Sequence, residues 1–248
     1  IADFSRFVKE NGHSDVILSA RNLSFAYGQT PILQDLMLDV KANEVVAIVG
    51  ANGCGKSTLL RHLNGLLRPK QGRVELFGKD ISNSTTASMA CEVGYLGQNP
   101  NNYLFEETLQ KELEFTLKNL RIPAGQWEER MGWALRVLDL ERYRQSFPRD
   151  LSCGQRERAA LASVIVGKPR ILILDEPTRG MDFSNKTKLA GILESLKGEG
   201  MTTILVTHDY RFVAEHANRV LLLSGGQLSD LPIERVVHMA KDAACTEA

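Results

Sequence analysis

Gly50-Ala51-Asn52-Gly53-Cys54-Gly55-Lys56-Ser57-Thr58 follows the apolar run Val45-Val46-Ala47-Ile48-Val49 and leads into Leu59-Leu60-Arg61-His62-Leu63. The spacing G-x-x-x-x-G-K-[ST] between a strand and a helix is that of a phosphate-binding loop. Glycines let the backbone curl until successive N–H groups point inward, and a helix starting near Lys56 adds the positive end of its dipole. Such a cradle takes a nucleotide. Lys56 reaches its β- and γ-phosphates and Ser57 holds Mg²⁺, while Asn52, Gly53, Cys54, Gly55 and Thr58 complete the anion site. A second segment, Ile171-Leu172-Ile173-Leu174-Asp175-Glu176, is an apolar strand ending in two carboxylates. It delivers Asp175 to the Mg²⁺ shell and sets Glu176 one residue beyond, placed to take a proton from the attacking water. A third, Leu151-Ser152-Cys153-Gly154-Gln155, precedes the apolar helix Ala159–Val166 and reads as another anion-binding helix start.

These residues need a scaffold, and the hydrophobic pattern supplies one. Leu18–Tyr27 and Ile32–Val40 alternate apolar and polar residues around Gly28 and Pro31, which predicts antiparallel strands. Continuous apolar runs at Val45–Val49, Ile171–Leu174, Thr203–Thr207 and Val220–Leu223 predict buried parallel strands, with helices at Lys56–Leu66, Ser184–Lys197 and Tyr210–Ala217 beside them. Between Gln98 and Pro148 the character changes: Glu106–Asn119 and Gln126–Leu140 have helical periodicity, with Pro123 and Gly125 separating them. The expected fold is therefore α/β, a P-loop NTPase core with a parallel sheet, an N-terminal antiparallel β layer and an inserted α-helical subdomain. One cassette is expected over residues 16–230, with the helical subdomain at about 98–150. A polar segment, 1–15, and a tail, 231–248, flank it. Ser224-Gly225-Gly226-Gln227 reads as a hairpin turn, and the tail as one short helix with a frayed end.

In order and spacing these motifs resemble an ABC-type ATPase, the nucleotide-binding subunit or domain of ATP-binding-cassette transporters, from roughly Leu18 to Leu228. The resemblance implies further roles. Tyr27 matches the aromatic that stacks on adenine, Gln98 the glutamine that touches Mg²⁺ and the lytic water, and His208 the switch histidine on the γ-phosphate. Gly180-Met181-Asp182 matches the loop that crosses the interface between cassettes, bringing Asp182 to the nucleotide. ATP is sandwiched between the phosphate loop of one cassette and Ser152, Gly154 and Gln155 of another, so catalysis needs a dimer. Cys153 stands where the commonest signature has Gly, and the sandwich sets Cys54 across the nucleotide from a second Cys153, which makes Cys54 a candidate reactive thiol. Gln98-Asn99-Pro100, Leu104-Phe105 and Asp175-Glu176-Pro177-Thr178-Arg179-Gly180 look like the ATPases of energy-coupling-factor importers of vitamins and metal ions. The Arg179-Gly180 variant, with Ile1 in place of an initiating Met, resembles the second half of a tandem two-cassette subunit. The partner implied is a transmembrane transporter subunit, with Tyr103, Leu104 and Phe105 suited to a groove that receives one of its helices.

Composition agrees with a peripheral engine. Thirty basic and thirty acidic residues cancel among 248, so no overall field draws the chain to nucleic acid. No apolar run approaches the roughly 20 residues needed to cross a bilayer, so the chain reads as cytosolic and soluble, and the resemblance implies the cytoplasmic face of the membrane, held there by the membrane subunit. Cys54, Cys91, Cys153 and Cys245 have no paired spacing and read as reduced thiols. Two other classes compete. A soluble ABC ATPase of DNA repair or translation would carry a long coiled coil or a basic surface, and neither is evident. A degenerate cassette that only binds nucleotide fits poorly with Gln98, Glu176 and His208 all being present.

Overall fold

The structure is a computed structural model that describes residues 16–246; the polar segment 1–15 lies outside the described residues. Strands β1 (Val16–Tyr27), β2 (Thr30–Lys41), β4 (Gln71–Leu76) and β5 (Lys79–Asp80) form an antiparallel sheet in the order β2-β1-β4-β5. A second, six-stranded sheet is built from β3 (Val45–Val49), β6 (Val93–Leu96), β7 (Ile171–Asp175), β8 (Thr202–Val206), β9 (Arg219–Ser224) and β10 (Gln227–Asp230). Its order is β10-β9-β3-β8-β7-β6, parallel throughout except for the β9–β10 hairpin. That hairpin turns at Gly225 and Gly226, with Ser224 opposite Gln227.

Alternation along β3 explains why this strand can sit in the middle. Val46 and Ile48 face one apolar cluster, with Ile171, Ile173, Ile204 and Val206 of neighbouring strands; β1, β2 and helix α1 (Lys56–Leu63) close it through Leu18, Leu33, Leu59 and Leu63. Val45, Ala47 and Val49 face the other cluster with Leu172, Leu174 and Leu205. Helix α2 (Thr86–Ala90), capped by Thr85, adds Met89 to the first cluster. The second cluster is closed by α3 (Leu109–Asn119), α4 (Trp127–Val137), α5 (Cys153–Ile165), α6 (Phe183–Gly198), α7 (Tyr210–His216) and α8 (Ile233–Thr246). Helices α3 and α4 follow one another with no strand between them, and they pack on α5 rather than on the sheet. Among the described residues no helix is long and apolar enough to cross a membrane.

The main differences from the sequence expectation are local. Helix α1 stops at Leu63, where the Asn64 side chain accepts from Leu66 N at 3.0 Å in place of a further helical turn. Helix α3 starts at Leu109 and not at Glu106, because Thr108 caps it by accepting from Lys111 N. Strands β4 and β6 were not expected. At Gly94 in β6 a Cβ would lie 2.7 Å from Val164 Cγ1 and 2.9 Å from Pro169 Cγ, so only glycine lets this edge strand lie against α5.

Candidate nucleotide site

Four neighbouring parallel strands, β3, β8, β7 and β6, deliver their C-terminal ends to one edge of the sheet, where ligands of open α/β sheets bind. The phosphate loop follows β3, His208 follows β8, Asp175 ends β7 and Gln98 follows β6. Strand order therefore gathers four distant segments before any side chain is considered. They line a cleft of about 280 Å³ with Asn52, Gly53, Gly55, Lys56, Ser57 and Thr58, and Tyr27 and Ile32 of the antiparallel layer form its outer wall.

The loop is held from within. At Gly50 a Cβ would meet Leu223 O at 2.4 Å, so glycine lets the loop leave β3 against β9. The Lys56 side chain is buried and its Nζ donates to Gly50 O at 2.8 Å and Ala51 O at 2.9 Å, which places the ammonium on the axis of the loop. Tyr27 ends β1 half exposed, its ring edge-on to Phe25 at 5.0 Å, and Phe25 in turn meets buried His62 of α1 at 4.6 Å. Burial lowers the pKa of His62, and its Nδ1 pairs with Thr58 O at 2.8 Å.

Glu176 has a left-handed backbone, φ 55°, uncommon for a residue with a side chain and a mark of functional turns. The kink is fixed by Glu176 N donating to Val206 O at 2.8 Å and Arg179 N donating to Glu176 O at 3.2 Å. It turns the carboxylate toward His208, whose Nε2 lies 3.1 Å from Oε1 and whose backbone N–H donates to Oε2 at 3.3 Å. Burial raises the Glu176 pKa, against the opposing effects of His208 and Lys56. Asp175 is buried; Tyr95 donates to its Oδ2 at 3.3 Å, and Oδ1 has no partner. A buried carboxylate oxygen left open beside Ser57 fits a divalent cation. Among the described residues no trio of His, Cys, Asp or Glu could hold a metal alone, so an ion here would complete its shell with phosphate oxygens and water, as Mg²⁺ does.

The signature segment does not line this cleft, although Gly154 lines a neighbouring pocket with Gln98, Asp175 and Glu176. Ser152 caps α5 by accepting from Gln155 N, and Gln155 Oε1 accepts from Ser152 N at 2.9 Å, a reciprocal capping box. Gln155 Nε2 also donates to Tyr143 Oη at 2.6 Å. Gly154 packs against α6, where a Cβ would fall 2.7 Å from Asn185 Oδ1. Asp182 caps α6 by accepting from Asn185 N at 2.8 Å. Ser152, Gly154, Gln155 and Asp182 are thus absent from the cleft wall of their own chain. Cys54 is also turned away: its side chain packs against the apolar cluster under the antiparallel layer. Cys91 and Cys153 are exposed and unbridged, and Cys245 falls beyond the described side chains. Maleimide is therefore expected to modify Cys91 and Cys153 well before Cys54, read by peptide mass spectrometry. Cys54 labelling as fast as Cys153, and slowed by Mg-ATP, would contradict this placement.

Two residues not assigned to the nucleotide site from the sequence adjoin it, Tyr95 and Tyr103, the latter expected only in the partner groove. Tyr95 reaches Asp175, and Tyr103 Oη accepts from Gly97 N at 2.8 Å, beside Gln98. No motif signals either one. The segment after Gln98 also divides differently from expectation. Leu104 is buried in the core and Tyr103 is half-buried, whereas Phe105 is 58% exposed and meets Phe115 edge-on at 4.9 Å. These two phenylalanines rim a groove that also contains Glu112, buried and accepting from Phe105 N and Glu106 N at 2.8 and 2.9 Å.

A phosphate loop, a strand-end carboxylate pair and a capped signature helix on a parallel sheet with an antiparallel layer and helical insert define a nucleotide-binding cassette. The chain belongs to the ABC transporter family of ATP-binding proteins: the family's profile matches residues 33–179. It is 38% identical over 212 residues to a putative ABC transporter ATP-binding protein of Methanosarcina mazei, covering 86% of this chain and 43% of that protein. The energy-coupling factor transporter ATP-binding protein EcfA of Methanothermobacter thermautotrophicus is 36% identical over 215 residues, 86% of this chain and 69% of the relative. The structure of cbiO1 from Clostridium perfringens, described as part of the ABC transporter complex cbiONQ, superposes with a TM-score of 0.84 at 32% identity, covering 91% of this chain and 92% of that one. The chain spans about two fifths of the length of the Methanosarcina mazei relative.

Proposed function

We propose that this chain binds and hydrolyses Mg-ATP between two cassettes and so drives a membrane subunit of an ABC importer for a vitamin or metal ion. The observation that carries the reading is the division of the site. Tyr27, the phosphate loop, Gln98, Asp175, Glu176 and His208 share one cleft, while Ser152, Gly154 and Gln155, at the start of α5, do not line it. A nucleotide in the cleft thus has one side open to a second cassette, another copy or a related chain. Similarity to EcfA, an energy-coupling factor transporter ATP-binding protein, and to cbiO1, part of an ABC transporter complex, supports a transporter role.

In this reading Tyr27 holds the base, Lys56 and the loop amides hold the phosphates, and Ser57, Asp175 and Gln98 hold Mg²⁺. A bound Mg²⁺ would supply neutralising charge to the phosphates. Glu176 accepts the proton of the attacking water, oriented by Gln98, and His208 steadies the Glu176 carboxylate and faces the γ-phosphate. The groove at Phe105 and Phe115, joined to Gln98 by Tyr103, is the proposed seat for a helix of the membrane subunit at the cytoplasmic face. A Glu176→Gln variant with ATP and Mg²⁺ tests the sandwich by light scattering: the mass is expected to double on addition of ATP. A monomer at saturating nucleotide would refute a sandwich between two copies of this chain.

A further inference from the structure

Tyr95 is placed unlike any residue of the motifs. It lies on edge strand β6, opposite Ile173 of β7, two residues before the end of that strand at Asp175. From there its hydroxyl reaches Asp175 Oδ2 at 3.3 Å. The second oxygen of that carboxylate, Oδ1, is buried and has no partner. A carboxylate with one oxygen tethered and the other open has a fixed plane and a single direction in which to meet a cation. Tyr95 is itself held: a Cβ at Gly97 would lie 3.5 Å from Tyr95 Oη and 3.4 Å from Tyr103 Oη, so the two phenols close on the same glycine. Tyr103 is locked there by the Gly97 amide. The far sides of both rings line the groove with Phe105 and Phe115.

We propose that Tyr95 is a positioning residue for Mg²⁺ binding: its hydroxyl orients Asp175 so that Oδ1 meets the ion that accompanies ATP. This rests on the Mg-ATP reading of the cleft. The hydroxyl donates to the carboxylate and does not touch the ion, so its contribution is to direction and not to ligand count. Removing it leaves Asp175 in place and free to rotate.

Tyr95→Phe is the suitable variant, because it deletes the hydroxyl and keeps the ring that walls the groove. Mn²⁺ serves as the probe, its binding in the presence of ATP read from the free-ion electron paramagnetic resonance signal. The variant is expected to bind Mn²⁺ about tenfold more weakly, the low end of losses seen when a partner of a metal ligand is removed. Binding of a fluorescent ATP analogue in EDTA, and the melting temperature, are expected to be unchanged. In Asp175→Ala, adding Tyr95→Phe should change nothing further, since the hydroxyl then has no side-chain oxygen to orient. Unaltered Mn²⁺ affinity in Tyr95→Phe would overturn the proposal, as would equal losses with and without metal, which mark a packing role. Failure of the unaltered chain to bind Mn²⁺ with ATP would instead refute the reading of the cleft itself.

Discussion

Glu176→Gln is expected to lower phosphate release by about a hundredfold or more, the usual contribution of a positioned general base. Glutamine keeps the shape and can still meet His208, so nucleotide affinity should persist while turnover is lost. The pH dependence follows from burial. Glu176 must be ionised to take a proton, and burial raises its pKa above the ordinary 4.5. Activity should therefore climb as pH rises through that raised value, and the residual rate of Glu176→Gln should lack this limb. Stability runs the other way. A carboxyl whose pKa is higher folded than unfolded binds more protons in the native state, so its ionisation withdraws stability between the two values. The glutamine variant is expected to melt no lower than the unaltered chain at neutral pH, and a clear loss of melting temperature would show that the kinked backbone at φ 55° needs the charge.

Lys56→Ala is expected to remove most nucleotide affinity. The buried ammonium is the cation at the centre of the loop, and its two contacts to Gly50 O and Ala51 O hold the curl together. Hydrogen bonds to charged groups contribute about 1.5–3 kcal/mol, so losing one phosphate contact alone weakens ATP binding roughly ten- to a hundredfold. Calorimetric titration with Mg-ATP reads this directly. Affinity within threefold of the unaltered chain would show that the loop amides suffice without the lysine.

The sequence made the site's chemistry legible where local pattern and geometry coincide. Val45–Val49 is apolar on every residue because both faces of β3 are buried, and its boundaries match those of the strand. Ser224–Gln227 turned as its glycines demanded. Strand β4 carries the polar, exposed run Gln71-Gly72-Arg73 and pairs through long-range contacts with β1, and β6 has only four residues, so neither produces a periodic signal. Side-chain direction was less legible than position. Cys54 belongs to the loop yet turns to the core, and Leu104 belongs to the groove segment yet fills the interior. Tyr95 meets Asp175 from 80 residues away, a contact fixed only by the pairing of β6 with β7.

The central claim is that this cleft turns over Mg-ATP with residues gathered from four strand ends. Steady-state phosphate release by the purified chain, with ATP and Mg²⁺ at increasing protein concentration, tests it most directly. Mg²⁺-dependent turnover is expected, abolished in Lys56→Ala, with a rate per chain that rises with protein concentration as two cassettes close on the nucleotide. Release that stays at the Lys56→Ala background at every concentration, in a chain that still binds ATP, would contradict it.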